Sequence, residues 1–266
     1  MITTLAVEQA LQQSFIAAEG TSLRREDRKK AVEVAALLNE LARLGKDRLL
    51  VDVAAGKSYL GLLAVELLGF TRLVVIERDL QRIEACRAAS ARMARSAQID
   101  LRPGDAGDAA LWPRSPDVVT ALHACGDASD RVIDAAIRAG ARWIFLVPCC
   151  YAAAVPFAAA AGAHADRLGL PRHAAVRRRF VTSLIDAERT LRLEAAGWET
   201  TIIPFVPEAV TPHNLLFRAR RVREPGRMRE ARERLSRLTE GALSEAVEQP
   251  LTPPRSTLEA HPIGRR

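Results

Sequence analysis

Short apolar runs alternate with helically spaced stripes through the first two thirds of the chain. Residues 49–53, 73–76, 99–101, 117–122 and 143–147 are runs of strand length, continuous enough to be covered on both faces of a sheet. Between them, residues 59–68, 80–97 and 128–139 repeat at helical spacing, and Gly140 stands where the last of these should stop. Ahead of them lie a weaker helical pattern over 1–23, turning at Gly20-Thr21-Ser22, and a stronger one over 24–44. The second has an apolar face of Val32, Leu37, Leu38, Leu41 and Leu44, a polar, basic start from Arg24 to Lys30, and Gly45 at its end. Strand–helix alternation of this kind predicts βαβ units and a parallel sheet with helices on both faces. Right-handed crossovers then favour a doubly wound, Rossmann-like α/β fold.

The last third breaks the rhythm. Residues 185–196 read as a helix closed by Gly197, but the strands expected at 200–203 and 215–219 have no helix between them, which predicts an antiparallel pair. The sheet should therefore have seven strands, mostly parallel, with a terminal antiparallel pair. From Arg220 the chain turns charged and then proline-rich: 227–238 reads as a solvated helix, and 249–266 has the composition of a disordered tail. Three regions follow: a helical cap over 1–45, a cofactor-binding domain over 46–222, and a charged helix with its tail over 223–266.

Composition adds two constraints. The formal net charge is +7, carried by 39 Lys and Arg of which four are lysine. That balance is the footprint of a polyanion binder, and equally the product of arginine-biased codon usage. No stretch approaches the roughly 20 apolar residues of a membrane span, and no basic-then-apolar leader opens the chain, so a cytoplasmic protein with reduced cysteines (Cys86, Cys125, Cys149, Cys150) is expected.

Ligands of doubly wound sheets bind beyond the carboxyl ends of the strands. The first strand delivers Asp52-Val53-Ala54-Ala55-Gly56-Lys57-Ser58-Tyr59-Leu60. Small residues let the backbone approach a ligand, and the next helix offers free N–H donors. The spacing is not that of a phosphate-cradling loop. Glu77 ends the second strand, where an acid binds a ribose, as in NAD or any adenosine cofactor. Asp105 ends the third strand and is placed to accept from an adenine amino group, with Asp108 as its rival.

The fourth strand runs into His123-Ala124-Cys125-Gly126-Asp127, and the fifth into Pro148-Cys149-Cys150-Tyr151. Neighbouring strands would gather these polar and sulfur side chains beside the cofactor. With the loop, this pattern resembles the S-adenosylmethionine (SAM) dependent methyltransferase domain of the glutathione S-transferase C-terminal-domain-containing and ribosomal RNA adenine dimethylase domain-containing proteins. More distantly it is similar to the tRNA 2′-O-methyltransferase of the acceptor stem. The shared features are a lysine-bearing basic helix (here Lys29-Lys30), D-x-G-x-G-K-G-x-L, an acid after strand two, H-x-C-G and C-C-[YH], over roughly residues 24–220. Two of the three motif glycines are Ala54 and Ser58 in this chain. A parallel sheet ending in an antiparallel pair is also the class I methyltransferase plan and not that of dehydrogenases.

The resemblance implies SAM as cofactor, held by Asp52, Ala54, Gly56, Lys57, Tyr59, Glu77, Asp105, His123, Cys125 and Gly126. His123 or Asp127 would orient or deprotonate the acceptor, with Cys149 and Tyr151 beside it. Two other roles compete for the thiols: Cys149 as a covalent nucleophile after Pro148, and a His–Cys metal site. Adjacent cysteines suit a single ion poorly and C-x₂₋₄-C spacing is absent, so no metal is expected. Cys86, inside a helix, reads as core.

The acceptor side is sought in residues 157–180, rich in alanine and arginine. Arg167, Arg172, Arg177, Arg178 and Arg179 could hold RNA phosphates there, or form a solvated helix face. Residues 207–214 form a loop that could cover the acceptor, with His213 as a contact. The expected reaction is methyl transfer to RNA, with tRNA as the candidate within that class. The alternatives are a protein or small-molecule acceptor, or a non-catalytic SAM- or RNA-binding protein.

Overall fold

The computed structural model describes residues 1–16, 20–45, 47–95, 97–151 and 154–243. Seven strands form one sheet: β1 (Leu49–Val53), β2 (Arg72–Glu77), β3 (Gln98–Pro103), β4 (Val118–Ala124), β5 (Trp143–Pro148), β6 (Trp198–Pro204) and β7 (Leu215–Arg221). They lie in the order β3-β2-β1-β4-β5-β7-β6. The first five run parallel, and β7 is antiparallel to both of its neighbours. Strand order reverses between β1 and β4, so the carboxyl ends of these two strands open the crevice where such sheets bind ligands. The predicted Rossmann-like fold, with its terminal antiparallel pair, is the one observed.

Among the described residues there are eight α-helices: α1 (Thr4–Leu11, running on through a π-type turn at Gln12–Ile16), α2 (Arg25–Ala42), α3 (Tyr59–Leu63), α4 (Leu80–Ser90), α5 (Ala128–Ala139), α6 (Ala158–Arg167), α7 (Ala175–Ala195) and α8 (Pro225–Leu243). Val7, Leu11, Phe15, Leu37, Leu38 and Leu41 of the N-terminal helices share one core with Leu50, Leu73, Val75 and Phe145 of the sheet. The opposite face packs Val51, Val119, Ile144 and Phe217 against Val132, Ile133 and Leu193.

Several boundaries differ from expectation for identifiable reasons. Helix α4 stops at Ser90 instead of 97, where Arg92 donates to the Ser14 carbonyl at 2.9 Å and Arg95 to that of Glu66 at 2.7 Å. The arginine-rich segment is two helices, interrupted around Gly169 and Pro171, and α7 begins ten residues before the expected 185. On α2, Val32 is half-buried while Ala31, Glu33 and Val34 are buried, so an acid sits inside the apolar face. The expected tail at 249–266 lies outside the described residues. Among the described residues no helix is long and apolar enough to cross a membrane.

Candidate cofactor and acceptor site

The loop after β1 takes its shape from a buried carboxylate. Asp52 accepts hydrogen bonds from Ser58 Oγ at 2.7 Å, the Gly61 amide at 3.0 Å and Thr120 Oγ1 at 3.0 Å. Burial raises its carboxyl to about 6, against the lowering effect of these bonds. Asp52 thus acts on the loop from inside the fold. The three positions of the glycine motif all have left-handed backbone: Ala54 at φ 49°, Gly56 at 59° and Ser58 at 51°. The departures from glycine therefore sit in left-handed backbone and place mild strain at two positions. Ser58 returns something for it, because its hydroxyl anchors Asp52. Gly61, which the motif reading passed over, is required by space: a Cβ there would meet Ser58 Oγ at 2.6 Å and Asp52 at 2.9 Å.

Glu77, at the end of β2, accepts from the Gly56 amide at 2.7 Å and the Asp79 amide at 3.0 Å, which ties the second strand end to the loop. Asp105 accepts from the Gly107 amide at 2.8 Å and Arg131 at 2.9 Å. The Gly107 bond first, then Arg131, holds its carboxyl below the usual range. Asp108 instead caps the short turn at Ala109–Leu111. Lys57 is half-buried in the loop, and Tyr59 sets its ring edge-on to Phe15, with centroids 4.6 Å apart. A Cβ added at Gly126 would meet nothing within 4 Å, and one at Gly56 would meet Arg82 alone, at 3.9 Å. Acids at two strand ends beside an open, left-handed loop are a donor and acceptor set that fits an adenosine cofactor with an amino-acid tail.

The end of β4 is bulged: the β4–β5 register shifts between Leu122 and Ala124, and His123 takes φ 63°. A bulge re-aims a side chain. Here His123 Nε2 lies 3.0 Å from both carboxylate oxygens of Glu33 on α2. Lys30 Nζ, one turn back, is 2.7 Å from the same carboxylate. Burial alone would raise Glu33, but the His123 hydrogen bond and then Lys30 outweigh it and hold the carboxyl below its ordinary value. An ionised Glu33 can accept a hydrogen bond from Nε2–H, and in that tautomer Nδ1 is the ring's acceptor and the contact sets its orientation. His213 is close enough for His123 to help lower its pKa, though burial is the larger cause.

The other nominated groups divide by what they touch. Asp127 is ion-paired to Arg131 at 2.7 Å, which occupies the carboxylate. Cys149 is 6% exposed, and burial, then Cys125 and Cys150, push its thiol far above the usual range, whereas covalent attack requires the thiolate. Tyr151 donates to Asp186 on α7 at 2.8 Å and lies under the Arg189 guanidinium, 5.4 Å from its ring centroid; burial and Asp186 keep the phenol protonated. Cys86 is buried and raised to about 12, as suits a core thiol.

Beyond β5 a cleft of about 1120 Å³ is lined by Cys149, Tyr151, Asp186, His213 and the arginine-rich start of α7. Arg172, Arg178 and Arg179 are exposed on it. Arg177 is not: it pairs with Asp166 at 2.8 Å and donates to the Gly162 and Leu170 carbonyls, so it braces α6 against α7. Glu33 and Asp186 were missed in the sequence. Each had a signal there, as an acid on the same helical ridge as buried apolar residues: Glu33 with Leu37 and Leu41, Asp186 with Leu193.

Residues 26–155, from the head of α2 to just past β5, match a family model described as a methyltransferase domain. No curated protein matches the chain. Among solved structures it is similar to a putative RNA methyltransferase from Pyrococcus horikoshii, at 14% identity over 85% of this chain and 100% of that one (TM-score 0.49). It is also similar to magnesium protoporphyrin IX methyltransferase from Synechocystis with bound SAH, at 12% identity over 76% and 89% (TM-score 0.47). A third is a putative caffeoyl-CoA O-methyltransferase from Staphylococcus aureus, at 11% identity over 83% and 92% (TM-score 0.48).

Proposed function

We propose that this chain, an S-adenosylmethionine-dependent methyltransferase, passes its methyl group to RNA. The observation that carries the acceptor is the placing of Arg172, Arg178 and Arg179 on the wall of the cleft that reaches Cys149 and Tyr151 at the end of β5. Exposed guanidinium groups suit phosphates, and the cleft is wide enough for a nucleotide lifted from a strand. The finer resemblance, to the domain found with glutathione S-transferase C-terminal and ribosomal RNA dimethylase modules, belongs to the same proposal, as do a tRNA acceptor and a cytoplasmic setting.

When bound, SAM would supply an electrophilic sulfonium methyl for an in-line nucleophile, with S-adenosylhomocysteine as the leaving group. The chain's own residues do the rest. The loop at 54–58, with Glu77 and Asp105, orients the cofactor. Arg172, Arg178 and Arg179 hold the RNA backbone. His123, oriented by Glu33, accepts the proton of the acceptor nucleophile at Nδ1. Positioning supplies much of the acceleration in such a displacement.

Tritiated SAM, incubated with the purified protein and with RNA and protein pools from cells lacking the gene, tests this. Nuclease-sensitive label is expected, and pairing Arg178→Ala with Arg179→Ala should weaken RNA binding and flatten its salt dependence by about 1.4–1.8 in log–log slope. Label confined to protein or to small molecules would reject the RNA acceptor. Absence of SAM and S-adenosylhomocysteine binding by calorimetry would reject catalysis altogether.

A further inference from the structure

The Ala124–Pro148 pairing of parallel β4 and β5 sets the next residues of each strand side by side. The sulfurs of Cys125, Cys149 and Cys150 consequently all lie within 4.8 Å of one another. Cys149 Sγ is 2.6 Å from Cys125 Sγ and 3.7 Å from Cys150 Sγ. Packing does not explain the cluster, since Cys125 and Cys150 are exposed while a structural free cysteine is normally buried.

We propose that Cys125, Cys149 and Cys150 bind one zinc ion as thiolates, leaving its fourth position open toward the acceptor cleft. Zinc–sulfur bonds of about 2.3 Å in a tetrahedron put sulfurs about 3.8 Å apart. The Cys149–Cys150 pair already stands at that spacing, and Cys125 and Cys149 need to separate by about 1 Å, a shift within reach of side-chain rotation. In the sequence, the adjacent cysteines and the missing C-x₂₋₄-C spacing count against a metal set of His123, Cys125, Cys149 and Cys150. The fold leaves His123 out of the group and brings the three sulfurs together from two neighbouring strand ends. Among the described residues no fourth Cys, His, Asp or Glu joins the group, and three protein ligands with one open position is the arrangement of catalytic zinc, in contrast to the four-ligand structural kind. Cys149 also lines the acceptor cleft, so the open position borders the space where a substrate atom would enter.

The charges agree. Zinc and three thiolates carry one net negative charge, and binding releases three protons to solvent. Burial raises the Cys125 thiol with Arg82 acting the other way, and Arg172, Arg178 and Arg179 line the adjoining cleft. Without a cation, burial and the neighbouring sulfurs leave the Cys149 thiol protonated.

The site is independent of what the acceptor is, and metal content reports on it without methyl transfer. Full-length protein, purified without a histidine tag under reductant and argon, is exposed to zinc sulfate, desalted and measured by plasma mass spectrometry. About one zinc per chain is expected, falling at least tenfold in the Cys125→Ser, Cys149→Ser, Cys150→Ser triple variant and unchanged in Cys86→Ser. Cobalt(II) added to the metal-free protein should give a sulfur-to-metal charge-transfer band that the triple variant lacks. Circular dichroism checks folding, and Cys150→Ser alone, which alters an exposed side chain, replaces the triple variant should that not fold. Any of three results would overturn the proposal: no stoichiometric zinc and no cobalt band in the wild type, equal zinc in the variant, or recovery of a Cys125–Cys149 disulfide from protein alkylated at harvest.

Discussion

Glu33 and His123 meet across 90 residues of chain, with the imidazole Nε2 3.0 Å from each oxygen of a carboxylate that is 5% exposed. The contact joins α2 to the bulged end of β4, and so gives the N-terminal helices a direct hold on the strand end beside the cofactor loop. Glu33→Gln retains the shape but also presents an amide donor, so the ring is no longer locked with Nδ1 as acceptor. The expected result is a 10- to 100-fold lower kcat with SAM affinity by calorimetry changed less than about threefold, and partial recovery with Glu33→Asp. A fall in SAM affinity that matched the fall in kcat would instead assign Glu33 to the stability of the cofactor loop.

The same loop allows two glycine substitutions to be set against each other. Ala54→Gly relieves a left-handed alanine worth about 1–2 kcal/mol, offset by about 0.4–1 kcal/mol of extra freedom in the unfolded chain, so the protein should hold or gain stability by up to roughly 1.6 kcal/mol. Ser58→Gly relieves the same strain but removes the hydroxyl that donates to buried Asp52, so it should be less stable than Ala54→Gly by about 1–3 kcal/mol. Gly61→Ala drives a methyl into Ser58 and Asp52 and should lower stability by about 2 kcal/mol or more. Urea unfolding of the three variants orders them, and equal behaviour of Ala54→Gly and Ser58→Gly would remove the proposed hold of Ser58 on Asp52.

Alternating apolar runs made the sheet readable, because strands buried on both faces cannot be polar. The strand ends His123, Cys125 and Cys149 could be grouped for the same reason: strand order places them. What the sequence withheld were pairings set by helix packing. Nothing local marks Arg177 as a half-buried brace between α6 and α7 and Arg178 as exposed on the cleft; helical rotation of α7 decides it. Nor could the motif show that Ala54 and Ser58 keep glycine-like backbone, since an L-residue in the left-handed region is held there by surrounding contacts.

Asp186 gives the protein a pH dependence whose sign is fixed. Burial raises its carboxyl to about 6, with the Tyr151 hydrogen bond and Arg189 acting the other way. The folded state therefore holds the proton more tightly than the unfolded chain, whose ordinary value is 3.8. The stability this contributes is complete below about pH 4 and lost as the pH rises through about 6. Asp186→Asn cannot ionise and should escape that loss. Denaturation curves at pH 4 and 6.5 should show the wild type falling relative to the variant by on the order of 2 kcal/mol. Parallel curves would mean that Asp186 is ionised throughout, with Arg189 its dominant partner.

Arg189 is fully buried between α5 and α7. It donates to Asp130 at 2.7 Å, approaches Asp186 at 3.8 Å and covers the Tyr151 ring. Arg192 approaches the other Asp130 oxygen and pairs with Asp134 at 3.0 Å. Removing one member of a buried pair leaves an uncompensated charge, which costs about 3–5 kcal/mol, whereas removing both can be close to neutral. Arg189→Met should therefore destabilise by that amount, moderated by Arg192. Adding Asp130→Leu should recover part of the loss, because the charge left behind goes with it. Tyr151 loses its cover in both proteins, so their stabilities should differ while their acceptor affinities fall together. A double variant no more stable than Arg189→Met would show that Arg189 acts through packing on Tyr151 and not through its charge on Asp130.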